Sequence, residues 1–296
     1  MYGIKSFEIK KFKSKGIEEM PDLVVVEEPL EIRLGFGKED DRQQKSISVT
    51  MRTPTGHDFE LALGFLFTEG IIASLDDILS IHYCTDAGRQ AEQNIVRVEL
   101  KPHILINFQS LERHFYATSS CGICGKASIE AIEQKCLILP KNDFKVSAEF
   151  IKTLPQILET NQVFFKHTGG LHAAMLLSPS PTAPKGSQKK IVGGYESSPL
   201  GAGGYEDIGR HNALDKAIGA ALQQNLLPLS ESILIMSSRA SFELIQKAVM
   251  AGIPIMACVG SPSSLAVETA QTLGITLIGF LRENSFNVYS HVERIF

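Results

Sequence analysis

Cys121 and Cys124 stand three positions apart in this 296-residue chain. Their type and spacing suggest a chemical role. They stand in the stretch SSCGICGKASIE, among small residues and directly before a run with helical spacing. A Cys-x-x-Cys pair has three chemical interpretations, because two thiols can bind a metal, exchange a disulfide or carry a sulfur atom.

The surrounding sequence argues against a metal site. Structural zinc needs four ligands, commonly two Cys-x-x-Cys pairs or one pair with nearby histidines, and the chain has no second Cys-x-x-Cys. A zinc deaminase adds a His-x-Glu motif whose glutamate shuttles protons. The nearest match is HAA, in which Ala174 stands in place of the acid, so we predict that the protein holds no metal of its own.

A carrier thiol fits the position of the pair better than a dithiol oxidoreductase does. An oxidoreductase pair is expected early, in a small βαβ unit, whereas this pair lies mid-chain and its glycines, Gly122 and Gly125, indicate a flexible loop. The dipole of the following helix, KASIEAIEQK, together with Lys126, favours the thiolate over the thiol. Such a thiolate can accept sulfur from a persulfide, and the second thiol can release or relay it.

Three predicted strand ends in the C-terminal half offer a place for an anion. The segments SSRAS, GSPSS and FLRENS each follow a continuous apolar run. Because ligands of parallel sheets bind beyond the carboxyl ends of the strands, we expect these segments to line one cleft. Arg239 and Arg282 could then bind phosphate oxygens in bidentate fashion. The alternative is that the serines cap helices and the arginines are solvated.

Two further stretches are unusually polar for their setting. FFKHTGG places His167 just before a buried strand, and YEDIGRHN places Arg210 and His211 just before a helix. Both histidines stand in glycine-flanked turns, so that a pocket role and a structural role are both open. Asp207 or Asn212 could be a simple helix cap.

The elements that must position these residues fall into two predicted domains. In residues 1–114, apolar and polar residues alternate as they do in strands, before and after one helix that ends at Gly70. This pattern predicts a small α+β domain. In residues 115–296, continuous apolar runs typical of buried strands are separated by stretches with helical spacing. This order predicts an α/β domain with parallel strands. Residues 178–205 are dense in Pro, Gly and Ser, and we predict a flexible insertion there.

Composition excludes several classes of protein. The formal net charge of −4 gives no general attraction to nucleic acid or to anionic membranes. The chain has neither a secretory start nor an apolar run as long as the ~20 residues of a membrane helix. Five cysteines are an odd number in a large protein, which favours reduced thiols. We therefore expect a cytoplasmic protein with neither nucleic acid nor membrane as partner.

Taken together, these stretches resemble the FdhD family of formate dehydrogenase accessory sulfurtransferases. The resemblance runs in family order from about residue 50 to the C-terminus, and no single motif carries it. The matching stretches are MRTPTGHDFELALGFLFTEGII, SSCGICGKASIE, HTGGLHAA, EDIGRHNALDKAIG, SSRASFELIQKAVMAGIPI, SPSSLAVETAQTLGITLIGFLR and FNVYSHVERI.

The resemblance implies a sulfurtransferase that takes persulfide sulfur from a cysteine desulfurase. It delivers that sulfur to the molybdenum (or tungsten) bis(molybdopterin guanine dinucleotide) cofactor of formate dehydrogenase. Cys121 would be the persulfide cysteine and Cys124 its assisting neighbour. The implied cofactor-binding surface consists of Phe280, Leu281, Arg282, Glu283, Asn284 and Ser285.

Two more implications concern architecture. The larger domain would be similar to cytidine deaminases, and the protein would form homodimers. The chain departs from the family in the Pro/Gly/Ser-rich segment 178–205, where a short turn is usual. A rival interpretation is a chaperone that binds cofactor and dehydrogenase but moves no sulfur.

Overall fold

The computed structural model describes residues 3–84, 93–104, 106, 144–178, 190–192 and 204–296. The Cys121–Cys124 pair and the helix predicted to follow it lie outside the described residues. The described parts form a mixed α/β protein with three sheets.

The N-terminal part contains a hairpin and a small sheet with one helix. The hairpin pairs β1 and β2 in antiparallel register from Ile4↔Val25 to Lys13↔Gly16. The second sheet has the order β4-β3-β6-β5, in which β3 and β6 are parallel. The bounds are β1 Ile4–Lys13, β2 Gly16–Val25, β3 Glu28–Phe36, β4 Gln43–Arg52, α1 Asp58–Thr68, β5 Ile78–Tyr83 and β6 Ile95–Leu100.

The C-terminal part is built on a seven-stranded sheet of order β13-β12-β11-β10-β7-β8, with β9 also paired to β7. Strands β10, β11 and β12 are parallel neighbours, and β7 runs antiparallel to β10. The strands are β7 His172–Ser178, β8 Lys190–Val192, β9 Tyr205–Asp207, β10 Ile233–Met236, β11 Ile255–Cys258, β12 Thr276–Gly279 and β13 Asn287–Ser290. The helices are α2 Ala148–Asn161, α3 Val163–Thr168, α4 Arg210–Gln223, α5 Phe242–Met250 and α6 Ser264–Thr272.

Both faces of this sheet are buried, which explains why its central strands are apolar throughout. On β10, Leu234 and Met236 pack into a cluster with α4, α5 and α6. Ile233 and Ile235, which alternate with them, pack on the opposite face with α2. The predicted strand and helix alternation between β10 and β12 is confirmed. Within the predicted insertion, Lys190–Val192 pairs with the end of β7, and Tyr205 begins β9.

The two parts meet where α1 crosses α4. A Cβ added to Gly64 of α1 would overlap the carbonyl oxygen of Asp215, and one added to Gly219 of α4 would overlap the carbonyl oxygen of Glu60. The two helices therefore touch through their backbones at this crossing. Among the described residues, no helix combines the length and the apolar character needed to cross a bilayer.

Candidate functional site

The carboxyl ends of β10, β11 and β12 lie side by side, so the three segments that follow them share one edge of the sheet. The backbone connects them directly, because Gly260 N donates to Ser238 O over 3.1 Å and Phe280 N donates to Gly260 O over 3.1 Å. Since β7 is antiparallel to β10, its amino end, where His172 stands, reaches the same edge.

Glycine is required where these segments touch. A Cβ on Gly260 would lie 2.8 to 2.9 Å from the Cγ, Cα and N of Arg239. Any larger residue would push the Arg239 loop away from its neighbour, so Gly260 fixes the place of Arg239 at the edge.

A cavity of about 530 Å³ opens at this edge, between the sheet and the helices α2 and α3. Its size is typical of a small-molecule site, and most of its wall is apolar. The lining residues are Pro155, Leu158, Glu159, Gln162, Phe165, Gly169, Gly170, Leu171, His172, Ser237, Val259, Leu281 and Arg282.

Two arginines near His172 contribute positive charge to the edge, although neither of them lines the cavity. Burial lowers the pKa of His172, and the positive charges of Arg210 and Arg239 lower it further. At neutral pH the imidazole is therefore uncharged, and the guanidinium groups carry the positive charge. The Nε of Arg210 is buried without a hydrogen-bond partner among the described residues.

Arg282 is held in place by main-chain oxygens. Its Nη1 donates to Val259 O over 2.8 Å and to Leu281 O over 2.7 Å, while its backbone N–H donates to Ser285 O over 2.8 Å. The side chain is nevertheless exposed and lines the cavity. Arg282 is therefore a fixed cation at the mouth and not a freely moving surface side chain.

The other residues predicted for this surface surround that cation. Phe280 is 45% exposed and has a φ of 51°, a left-handed conformation that costs energy in a non-glycine residue and is frequent at functional sites. Leu281 is buried, whereas Glu283, Asn284 and Ser285 are exposed. The segment thus exposes Phe280, whose backbone is strained, and several polar residues to solvent.

The helical wall of the cavity is anchored by a buried carboxylate. Glu206 of β9 accepts hydrogen bonds from the backbone N–H groups of Phe164 and Phe165, both over 2.8 Å, at the start of α3. Burial raises the pKa of Glu206 although these hydrogen bonds favour the ionised form. Glu206 thereby ties α3, and the glycines that follow it, to the sheet.

His211 belongs to a second cavity and His167 to neither. The second cavity, of about 510 Å³, lies between β4 and the helices α1, α4 and α5, and His211, Asp215 and Lys247 line it. Burial, with Arg210 and Lys247 next, lowers the pKa of His211 to about 4. His167 lies exposed in the last turn of α3, outside the lining residues of both cavities.

The polar residues of the first cavity that the sequence does not point to include His172 and Gln162. HAA is interpreted above as an incomplete zinc motif and as part of the family stretch HTGGLHAA, neither of which gives His172 a place in a cavity; the signal available is that His172 follows a glycine pair and Leu171 at the start of a strand. Gln162 joins two helices that the sequence did not predict, so no signal pointed to it.

Metal ligands do not cluster in the described parts of the chain. No group of three or more His, Cys, Asp or Glu side chains there could hold a metal ion.

Comparison with known proteins gives a consistent set of relatives. The model of the FdhD/NarQ family matches residues 25–183 and 202–296. A sulfur carrier protein FdhD from Mycolicibacterium paratuberculosis is 46% identical over 278 residues, which cover 93% of this chain and 92% of that protein. A protein of the same name from Streptomyces coelicolor is 44% identical, covering 96% and 93%.

The solved structures include one with a similar fold. It is a crystal structure of a candidate formate dehydrogenase accessory protein from Desulfotalea psychrophila, with a TM-score of 0.69 and 23% sequence identity. The superposition covers 99% of this chain and 100% of that one. At this identity the likeness concerns the fold.

Proposed function

The chain belongs to the FdhD/NarQ family, and from this premise we propose that it carries sulfur to the molybdenum cofactor of a formate dehydrogenase. The observation that supports the proposal most is the 46% identity to a sulfur carrier protein FdhD over 93% of the chain. The sequence contains a Cys-x-x-Cys pair whose thiols could carry sulfur.

Cys121 is the acceptor in this proposal. Its thiolate attacks the outer sulfur of a cysteine desulfurase persulfide, a new S–S bond forms on Cys121, and the desulfurase cysteine leaves as a thiolate. Cys124 can then release the outer sulfur as sulfide by closing a disulfide with Cys121. A thiol reductant reopens that disulfide before the next cycle.

The cargo is the bis(molybdopterin guanine dinucleotide) cofactor of molybdenum or tungsten, bound at the sheet edge. Its two pyrophosphates are anions. Arg282 lines the cavity, and Arg210 and Arg239 lie close enough to the lining residue His172 to lower its pKa. The segment 280–285 supplies further contacts at the mouth. A role for His167 or His211 in binding stays a prediction.

Several finer points rest on the family resemblance. These are the cysteine desulfurase as donor, homodimer formation, a cytoplasmic location and a similarity of the larger domain to cytidine deaminases. Formate dehydrogenase as the client is supported by the accessory-protein description of the structural neighbour.

Loading of sulfur on Cys121 tests the proposal. The protein is incubated with a cysteine desulfurase and cysteine and then weighed intact. We expect the wild type and a Cys84→Ala control to gain the mass of one sulfur atom, and Cys121→Ala to gain none. A wild type that gains no sulfur would overturn the carrier role and favour the chaperone interpretation.

A further inference from the structure

Strand β4 is an edge strand, and the second cavity lies beside it. Among the described strands, β4 pairs only with β3, because the small sheet has the order β4-β3-β6-β5. Four consecutive residues of β4, Ser48, Val49, Thr50 and Met51, line the 510 Å³ cavity. An edge strand can pair through its free backbone N–H and C=O groups with another chain that comes beside it.

One hydrogen bond shows which backbone groups of β4 point to its open side, away from β3. Met51 stands opposite Pro29, which has no N–H to donate, and Met51 O accepts instead from Asn212 Nδ2 of α4 over 2.8 Å. In an antiparallel pair, the N–H and C=O of one residue point to the same side, and residues two positions apart behave alike. The Met51 N–H and both backbone groups of Val49 therefore also point to the open side.

Apolar side chains accompany these backbone groups. Val49 is 67% exposed and Met51 44% exposed. Phe65 of α1 and Ile208 add apolar surface to the cavity lining. Large exposed apolar side chains on an edge strand favour contact with a further chain.

The charged residues in the cavity lining are mostly acidic. Glu27 and Glu243 are exposed and stand on different walls, one before β3 and the other in the first turn of α5. Lys247, the one lysine or arginine among the described lining residues, is buried and donates to both carboxylate oxygens of Asp215 over 2.9 and 3.0 Å. The open part of the cavity therefore attracts positive charge.

We propose that the open side of β4 and this cavity form a docking groove for an extended segment, rich in lysine or arginine, of a partner protein. The segment adds a strand beside β4, accepting from the Val49 N–H and donating to the Val49 C=O. Its cationic side chains pair with Glu27 and Glu243. The added strand ends near Met51, because the Asn212 side chain already occupies the next backbone oxygen.

Three fluorescein-labelled peptides, titrated with the full chain in fluorescence anisotropy, test the proposal. The first alternates valine and lysine over six residues, and the second has glutamate in place of each lysine. The third is the valine-lysine peptide methylated at every peptide nitrogen, so that it cannot donate to β4. We expect the first peptide to bind at least about tenfold more tightly than either of the others.

Substitution of Val49 tests the backbone contact from the side of the protein. Val49→Pro removes the N–H on the open side and places a ring there, so it should weaken binding of the valine-lysine peptide about tenfold. Proline is tolerated on the solvent side of an edge strand, and thermal melting checks the fold. The control Val49→Thr keeps the N–H and should bind like the wild type. The methylated peptide makes the same test on the unaltered protein.

Substitution of Glu243 tests the charge contact. Glu243→Gln should weaken binding of the valine-lysine peptide several-fold, whereas Glu231→Gln, at an exposed position outside the cavity lining, should not. Added salt should weaken binding to the wild type.

Three results would overturn the proposal. The first is that the valine-lysine peptide does not bind, and the second is that the glutamate peptide binds equally well. The third is that methylation of the peptide nitrogens leaves the affinity unchanged, because binding would then depend on charge alone and not on the open side of β4.

Discussion

At the sheet edge, the ionisation of a histidine depends on its burial and on two neighbouring arginines. His172 lies half-buried near Arg210 and Arg239; burial first, and the two positive charges next, lower its pKa and keep its imidazole neutral. A neutral imidazole can accept or donate a hydrogen bond without adding positive charge. The positive charge at the sheet edge is thus carried by arginines, whose charge does not vary in the physiological range.

The first prediction concerns the pKa of His172. Replacing Arg239 by Gln removes one of the charges that lower this pKa, so the pKa should rise toward its ordinary value. Burial, the larger cause, remains, so the rise should be partial. Titration of the imidazole by NMR measures it.

Lys152→Gln is the matched control for this titration. It removes one positive charge at an exposed position of α2 and should leave the pKa of His172 where it was. An equal rise in both variants would mean that net charge, and not the proximity of Arg239, lowers the pKa.

The placement of a single residue at the sheet edge could be predicted from the sequence only where the direction of its strand was evident. Arg239 and Arg282 follow parallel strands, so their placement at one edge could be reasoned from the apolar runs before them. His172 reaches that edge because β7 runs antiparallel to β10, and nothing in the sequence of β7 states its direction. The cofactor-binding roles of all these residues stay predictions.

At the scale of elements, the crossing of α1 and α4 determines how the small sheet is attached. Leu222 of α4 packs into the core that α1 forms with β3 and β6. This packing is possible because Gly64 and Gly219 remove side chains from the crossing point. Without side chains at these two positions, the helix backbones can come into direct contact.

We predict that Gly64→Ala destabilises the protein. In an isolated helix alanine would be favoured over glycine by about 1 kcal/mol. Here the new methyl group would overlap the Asp215 carbonyl oxygen, which is backbone and cannot rotate away. Overpacking of this kind costs about 1 to 3 kcal/mol or more, so we expect a net loss in the urea-unfolding free energy.

Gly170→Ala provides the comparison. Its Cβ would lie 3.4 Å from Val25 Cγ2, an ordinary contact, and the stability should stay close to that of the wild type. Equal unfolding free energies for Gly64→Ala and Gly170→Ala would contradict the close contact between the backbones of the two helices.

Most elements of the C-terminal sheet were predictable, whereas α2 was not. Apolar strands and helices closed by Gly252 and Gly274 have clear sequence signals, and both glycines have positive φ. Helix α2 contains Pro155, which ordinarily ends a helix. It forms because Ser147 caps its start and because its apolar face, including Leu154, is buried on the sheet.

At the scale of the whole molecule, a buried ion pair of the C-terminal part is hydrogen-bonded to the N-terminal part. Lys216 and Asp207 are both fully buried, with Nζ 2.7 Å from Oδ2. Lys216 also donates to Thr55 Oγ1, and Asp207 accepts from Thr53 N, so the segment after β4 is tied to α4 and β9. The predicted division into two domains therefore has a shared polar interface.

We predict a large loss of stability for Lys216→Met. Removal of the lysine leaves Asp207 as an uncompensated buried charge, which costs about 3 to 5 kcal/mol. The double variant with Asp207→Asn should recover part of this loss, because the charge is then absent. Urea unfolding of both variants measures the difference, and a Lys216→Met loss below about 1 kcal/mol would contradict the buried pair.

The central claim, sulfur transfer through Cys121, is tested most directly by following labelled sulfur to its destination. The protein is loaded with isotopically labelled sulfur, freed of desulfurase, and mixed with the guanine dinucleotide cofactor and the apo form of a formate dehydrogenase. Mass spectrometry then locates the label. We expect it to leave Cys121 and appear on the metal of the cofactor, with Cys121→Ala delivering none. Label that stays on the protein while the dehydrogenase becomes active would contradict the account.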